Sequence, residues 1–142
     1  ISLFAPGIFG RLDPGPIRRR AWVANASLLM AAMFAVMAVL QHAGATVALM
    51  IGLGMLWGFY TLQYTDVRSS YPPEMTGRAL SLFTMAMFLG VALMQSATGL
   101  VAAWATGLGV EPYRAVLLAI AGWLALASLA FRVLPASPLL RR

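Results

Sequence analysis

The chain has 142 residues, of which 61% are hydrophobic and 10% charged, with ten arginines against four acids and a formal net charge of +6. A soluble domain carries about 25% charged residues, so these charges are too few to coat a water-exposed globule. Cysteine is absent and His42 is the single histidine, which excludes disulfides, thiolate metal sites, cysteine nucleophiles and imidazole clusters, and predicts neither metal nor cofactor.

The apolar residues come in long uninterrupted runs, and the arginines sit between them. The expected fold class is therefore all-α integral membrane, with four transmembrane helices and the lipid bilayer as partner. Nucleic acid is not expected as a partner, because no basic stripe alternates with exposed aromatics.

The chain opens at Ile1 without an initiator methionine or a signal pattern, and reads as a piece of a longer protein. Residues 1–9 look like the last turns of an earlier helix. Residues 10–20 form a basic loop with Pro14, Gly15 and Pro16. From Ala21 to Thr65 there is no charged residue. A span needs about 20 apolar residues to cross a core of roughly 30 Å, so this run holds two, broken at Gln41-His42-Ala43-Gly44. The first span is residues 21–40 and the second residues 45–64.

Residues 65–78 hold Asp66, Arg68, Pro72, Pro73, Glu74 and Gly77. A proline pair interrupts a helix ladder, which predicts a loop. A third span covers residues 79–104, and a turn with Gly107 and Gly109 follows. The fourth span is residues 113–134, with Arg114 and Arg132 near its ends, and residues 135–142 form a tail.

Arginine counts set the orientation. Arg11, Arg18, Arg19, Arg20, Arg68, Arg78, Arg132, Arg141 and Arg142 fall on one side, and Arg114 alone on the other. The first group, and with it the C-terminus, is expected in the cytoplasm of a multi-pass cell-membrane protein, a bacterial inner membrane in particular.

Small residues let membrane helices approach. Gly52, Gly54 and Gly58 in span two, Gly90 and Gly99 in span three, and Ala119, Gly122 and Ser128 in span four are the packing candidates. For Gly54 and Gly58 a hinge is the second reading. Trp57, Tyr60, Thr61 and Tyr64 recur at three and four residues and share one helix face. Tyr64 suits an interfacial aromatic belt. Trp57 lies near mid-depth, where a belt does not explain it, so Trp57, Tyr60 and Thr61 read either as the lining of a solute pathway or as packing. Gln95, deep in span three, needs a partner on another helix as structural glue, or belongs to the same pathway. Arg78 opens span three at the positive end of the helix dipole, where a cation is disfavoured. Glu74, Asp66 or Asp13 is the expected compensator, within a charge network that latches the cytoplasmic helix ends together.

The stretch Gly10-Arg11-Leu12-Asp13-Pro14-Gly15-Pro16-Ile17-Arg18-Arg19-Arg20 resembles the second copy of the Gly-x-x-x-Asp-Arg-x-Gly-Arg-Arg loop of the major facilitator superfamily. Residues 71–81, from Tyr71-Pro72-Pro73-Glu74 through Gly77-Arg78 to Ser81, look like that family's tenth loop. Phe88-Leu89-Gly90 and Gln95 through Gly99 look like its eleventh helix. The resemblance covers essentially the whole chain, from the end of helix eight through helix twelve. It implies the C-terminal part of a twelve-helix secondary transporter that moves a small solute by alternating access. It also implies that the missing N-terminal half of the same chain is its partner. By resemblance helix ten lines the central cavity, helix eleven packs between the two halves, and Asp13, Arg18 and Arg19 join Asp66, Glu74 and Arg78 in the cytoplasmic gate.

Two other classes compete. One is a small four-helix scaffold or assembly subunit. The other is a membrane-embedded enzyme, which needs titratable groups converging at one depth. The predicted spans hold no acid, lysine, cysteine or histidine, so no enzymatic activity is expected.

Overall fold

The computed structural model describes Arg11, residues 14–40 and residues 42–134. Asp13 and residues 1–9 and 135–142 lie outside the described residues. The elements are α1 (Pro16–Leu40), α2 (Ala43–Leu56), a 3₁₀ turn (Trp57–Phe59), α3 (Tyr60–Ser69), α4 (Pro73–Gly107) and α5 (Pro112–Val133). The described residues are all-helical apart from short connections. Four helical segments are long and apolar enough to cross a membrane: Arg18–Leu40, Ala43–Ser69, Pro73–Gly107 and Pro112–Val133. That is the pattern of a multi-pass membrane protein.

Several helix ends rest on recognisable chemistry. At α1, Gly15 takes φ +82° and its carbonyl accepts from the Arg19 N–H at 3.0 Å. Pro16 then occupies the first helical position, where its missing N–H costs nothing. His42 caps α2, its Nδ1 accepting from the Ala45 N–H at 3.4 Å. α4 ends in a Schellman motif. The Val110 N–H reaches Ala105 O at 2.9 Å, the Gly109 N–H reaches Thr106 O at 3.1 Å, and Gly109 sits at φ +68°, a conformation that favours glycine. Glu111 then caps α5, its carboxylate accepting from the Tyr113 and Arg114 N–H groups at 3.1 and 2.7 Å.

Helix extends past three of the expected boundaries. α1 begins at Pro16, so Arg18, Arg19 and Arg20 are helical rather than part of a loop. Span two runs on to Ser69 and carries Asp66, which corrects the expectation of acid-free spans. The proline pair starts a helix instead of opening a loop. Pro72 is the cap and Pro73 the first helical residue, with Glu74 in the first turn. That carboxylate meets the positive end of the dipole, and Arg78 falls a full turn further in. At 35 residues, α4 is about 50 Å long, well beyond a hydrocarbon core of roughly 30 Å.

The helices run antiparallel. Ser128 Oγ donates to Ala24 O at 2.8 Å, and Arg20 Nη2 donates to Phe131 O and Leu134 O, both at 3.1 Å. These bonds set the start of α1 beside the end of α5, the most extensively packed helix pair. On the opposite side, Tyr64 Oη and Thr84 Oγ1 lie 3.0 Å apart, so α3 and α4 form a hairpin through Ser70–Pro72.

α1 carries most of the buried residues, packed against α5 on one side and span two on the other. On α1 the buried residues repeat in pairs every seven positions: Val23 with Ala24, Met30 with Ala31, Met37 with Ala38. A seven-residue repeat keeps one face on its partner only if the helices cross at a shallow left-handed angle. α5 answers with Leu117, Ala121 and Ser128. Small residues on this seam let the two backbones come together.

The expected glycine packing is mostly not there. A Cβ added at Gly54, Gly90, Gly99 or Gly122 meets nothing within 4 Å, whereas one at Gly52 comes within 2.7 Å of Met33 Cε. Gly58 is buried. Ser128 and Ala24 make a close approach between α1 and α5.

Candidate functional site

The most distinctive local feature is the break in span two. Gly52, Gly54 and Gly58 fall within seven residues, and glycine weakens an α ladder by about 1 kcal/mol per position relative to alanine. Over Trp57–Phe59 the helix tightens to a 3₁₀ turn, with the Tyr60 N–H bonded to Trp57 O. A 3₁₀ stretch inside a helix marks a hinge or a functional site. This one lies halfway along Ala43–Ser69.

The predicted pathway residues cluster around that break. Trp57 is 62% exposed and Tyr60 36% exposed. Trp57 walls a groove of about 370 Å³ with Met30, Phe34, Leu53 and Gly54. Thr61 Oγ1 is buried and has no hydrogen-bond partner among the described residues. Tyr60 meets Tyr64 edge-on at 6.2 Å between ring centres, and Tyr64 meets Phe83 edge-on at 5.0 Å. Tyr64 therefore ties α3 to α4 through both its ring and its hydroxyl, a role beyond the interfacial belt expected for it.

Gln95 does not join them. It is exposed on α4, and no hydrogen bond ties its side chain to another helix among the described residues. α4 meets span two along α3, below the break. The partner that a buried glutamine requires is absent because Gln95 is not buried within these helices.

The proposed gate residues divide into two groups. Arg19 is only 5% exposed, and its Nη1 donates to Ser69 Oγ at 2.9 Å. Asp66 sits one helical turn before Ser69, on the same face of α3, and lines a cavity of about 240 Å³. All four spans contribute to that cavity, with Ser27, Gln63, Phe83 and Ser128 among its walls. Arg18, Glu74 and Arg78 are exposed instead. Arg78 faces a separate groove with Val67, Tyr71 and Leu82. Of these residues, Arg19 joins two helix ends, tying the start of α1 to the end of α3.

A second clasp was not legible residue by residue. Arg20 lies 4.8 Å over the Phe131 ring while bonding the last carbonyls of α5, and Arg132 Nη2 donates to Asn25 Oδ1 at 2.6 Å. The alanine heptad on α1 is the signal that could have paired these two helices. No protein family, curated protein or solved structure compared with the chain matches it. Among the described residues, no group of three or more acids and histidines is placed to hold a metal ion.

Proposed function

We propose that the chain is the C-terminal part of a major facilitator secondary transporter, moving a small solute by alternating access, with its arginine-rich helix ends in the cytoplasm. The observation that carries this reading is the 3₁₀ break at Trp57–Phe59, with Trp57 exposed beside it and the buried Thr61 hydroxyl just past it. Transporter sites form near the bilayer midplane, where a helix is interrupted and its polar groups turn to a cavity. By resemblance this span is helix ten, which lines the central cavity.

The bare surface of α4 is also in keeping with a helix that packs between two halves. Leu82, Met85, Phe88, Leu89, Leu100 and Trp104 are all exposed on it. The aromatic, mostly apolar lining suits a neutral or lipophilic solute. Asp66, now on a span and five residues past Thr61, is a candidate for coupling to a proton.

The full-length protein in proteoliposomes, screened with lipophilic fluorescent dyes, provides the assay. Trp57→Ala should cut the flux of a transported dye about tenfold or more, as truncating a central aromatic anchor does. Gly90→Ala should leave it unchanged. Normal flux in Trp57→Ala would assign Trp57 to packing and remove the proposed pathway. The scaffold reading gains if the intact native gene product has a mass near 15.2 kDa rather than about three times that, the size of a twelve-helix transporter.

A further inference from the structure

One face of α1 changes from charged to apolar along its length. Arg18, Trp22, Asn25, Leu29 and Val36 follow one another at three-, four- and seven-residue steps, and all are exposed. They form a single stripe on the side away from the α5 seam. Arg132 reaches this stripe from α5 through its bond to Asn25 Oδ1, in an exposed position. Asn25 lies about 10 Å along the helix from Arg18, with Trp22 between them in sequence.

These two cations are under-used. A guanidinium offers five N–H donors, and the Asn25 oxygen takes one from Arg132. Neither Arg132 nor Arg18 has any other hydrogen bond or ion pair among the described residues. The described acids sit elsewhere. Glu111 is at the opposite end of α5, and Asp66 and Glu74 are on α3 and α4. A cation beside hydrocarbon is costly unless an anion meets it. The planar fork of arginine matches a phosphate in bidentate fashion. Tryptophan prefers the headgroup level, and the residues beyond it are apolar.

We propose that this outward face of α1, with Arg132 of α5 at its edge, binds the phosphate-bearing headgroup of an anionic membrane phospholipid. Arg18 meets the phosphate, Arg132 adds positive charge beside the headgroup, Trp22 lies at the glycerol level, and Leu29 and Val36 run beside an acyl chain. The site rests on these helices being membrane spans and not on the transport reading.

Native mass spectrometry of the full-length protein in detergent, titrated with phosphatidylglycerol and with phosphatidylcholine, tests the site. The wild type should retain phosphatidylglycerol in preference. Arg132→Gln and Arg18→Gln should each weaken that retention about fivefold, and phosphatidylcholine binding should not change. Arg18→Gln breaks no internal bond, so it keeps the test valid if loss of Arg132 disturbs folding. Arg78→Gln, on α4 in a separate groove, should have no effect. Equal binding of the two lipids by the wild type, or full retention in Arg18→Gln, would overturn the site. An equal loss in Arg78→Gln would reduce it to diffuse surface charge and overturn it as well.

Discussion

Ala24→Leu should destabilise the protein by about 1–3 kcal/mol, the cost of forcing extra methylenes into a packed seam. Ala24 is 1% exposed, and the added branch has nowhere to go except between the backbones of α1 and α5. It also threatens the bond from Ser128 Oγ to Ala24 O, 2.8 Å long and buried. Such bonds inside a membrane are worth about 0.6 kcal/mol on average, so overpacking is the larger loss. Gly90→Ala should act in the opposite direction. Its Cβ meets nothing within 4 Å, and alanine improves helix propensity by up to about 1 kcal/mol. Unfolding of the purified protein in mixed micelles checks both signs. A neutral Ala24→Leu would show that the α1–α5 seam is not the core of the bundle.

The second large effect belongs to Arg19. Its guanidinium is buried against Ser69, and a hydrogen bond to a charged group contributes about 1.5–3 kcal/mol. Burying a charge also carries a desolvation cost, so removing it gives something back. Two features favour net loss. The apolar stem of Arg19 fills space between α1 and α3, and Asp66 lies a single turn away on the face that Arg19 meets. Arg19→Ala should therefore cost about 2 kcal/mol. The double variant Arg19→Ala with Asp66→Asn should lose less than the sum of the singles, with a coupling of about 0.5–3 kcal/mol. Strict additivity would mean that the two groups do not act as one latch.

How far the sequence reaches depends on which forces are local. The four spans were legible because an uncharged run is long or it is not, and because His42-Ala43-Gly44 and Gly107 to Gly109 are turn chemistry. The fourth span agrees with α5 to within one residue at each end, since Glu111-Pro112 is a strong start signal. The start of α1, the end of span two and the start of α4 differ from expectation for a physical reason. Charge stops a hydrophobic run but not a helix, so α3 continues through Asp66 and Arg68 to Ser69. Proline breaks a helix it interrupts but favours one it begins, so Pro73 opens α4.

The candidate site was legible in part. Three- and four-residue spacing placed Trp57, Tyr60 and Thr61 on one face, and the glycines beside them weakened the helix there. Whether Gln95 would meet them depended on the tilt between α4 and span two, which no local spacing reveals. The same holds for the clasps of Arg19, Arg20 and Arg132, because each is made with a residue distant in the chain. Which helices are neighbours was written in the alanine repeat at Ala24, Ala31 and Ala38, a subtler mark than glycine.

Four crossings with the arginine-rich ends together on one side are central to the proposed topology. These 142 residues hold no cysteine, so, with any cysteine elsewhere in the protein replaced, single cysteines can be introduced at the three connections: His42→Cys, Tyr71→Cys and Val110→Cys. All three native residues are exposed. In sealed vesicles of known orientation, a membrane-impermeant maleimide should label positions 42 and 110 from the outside and position 71 only from the cytoplasmic side. Labelling of all three from one side would contradict the four crossings, and labelling of position 71 from outside with 42 and 110 protected would invert the orientation.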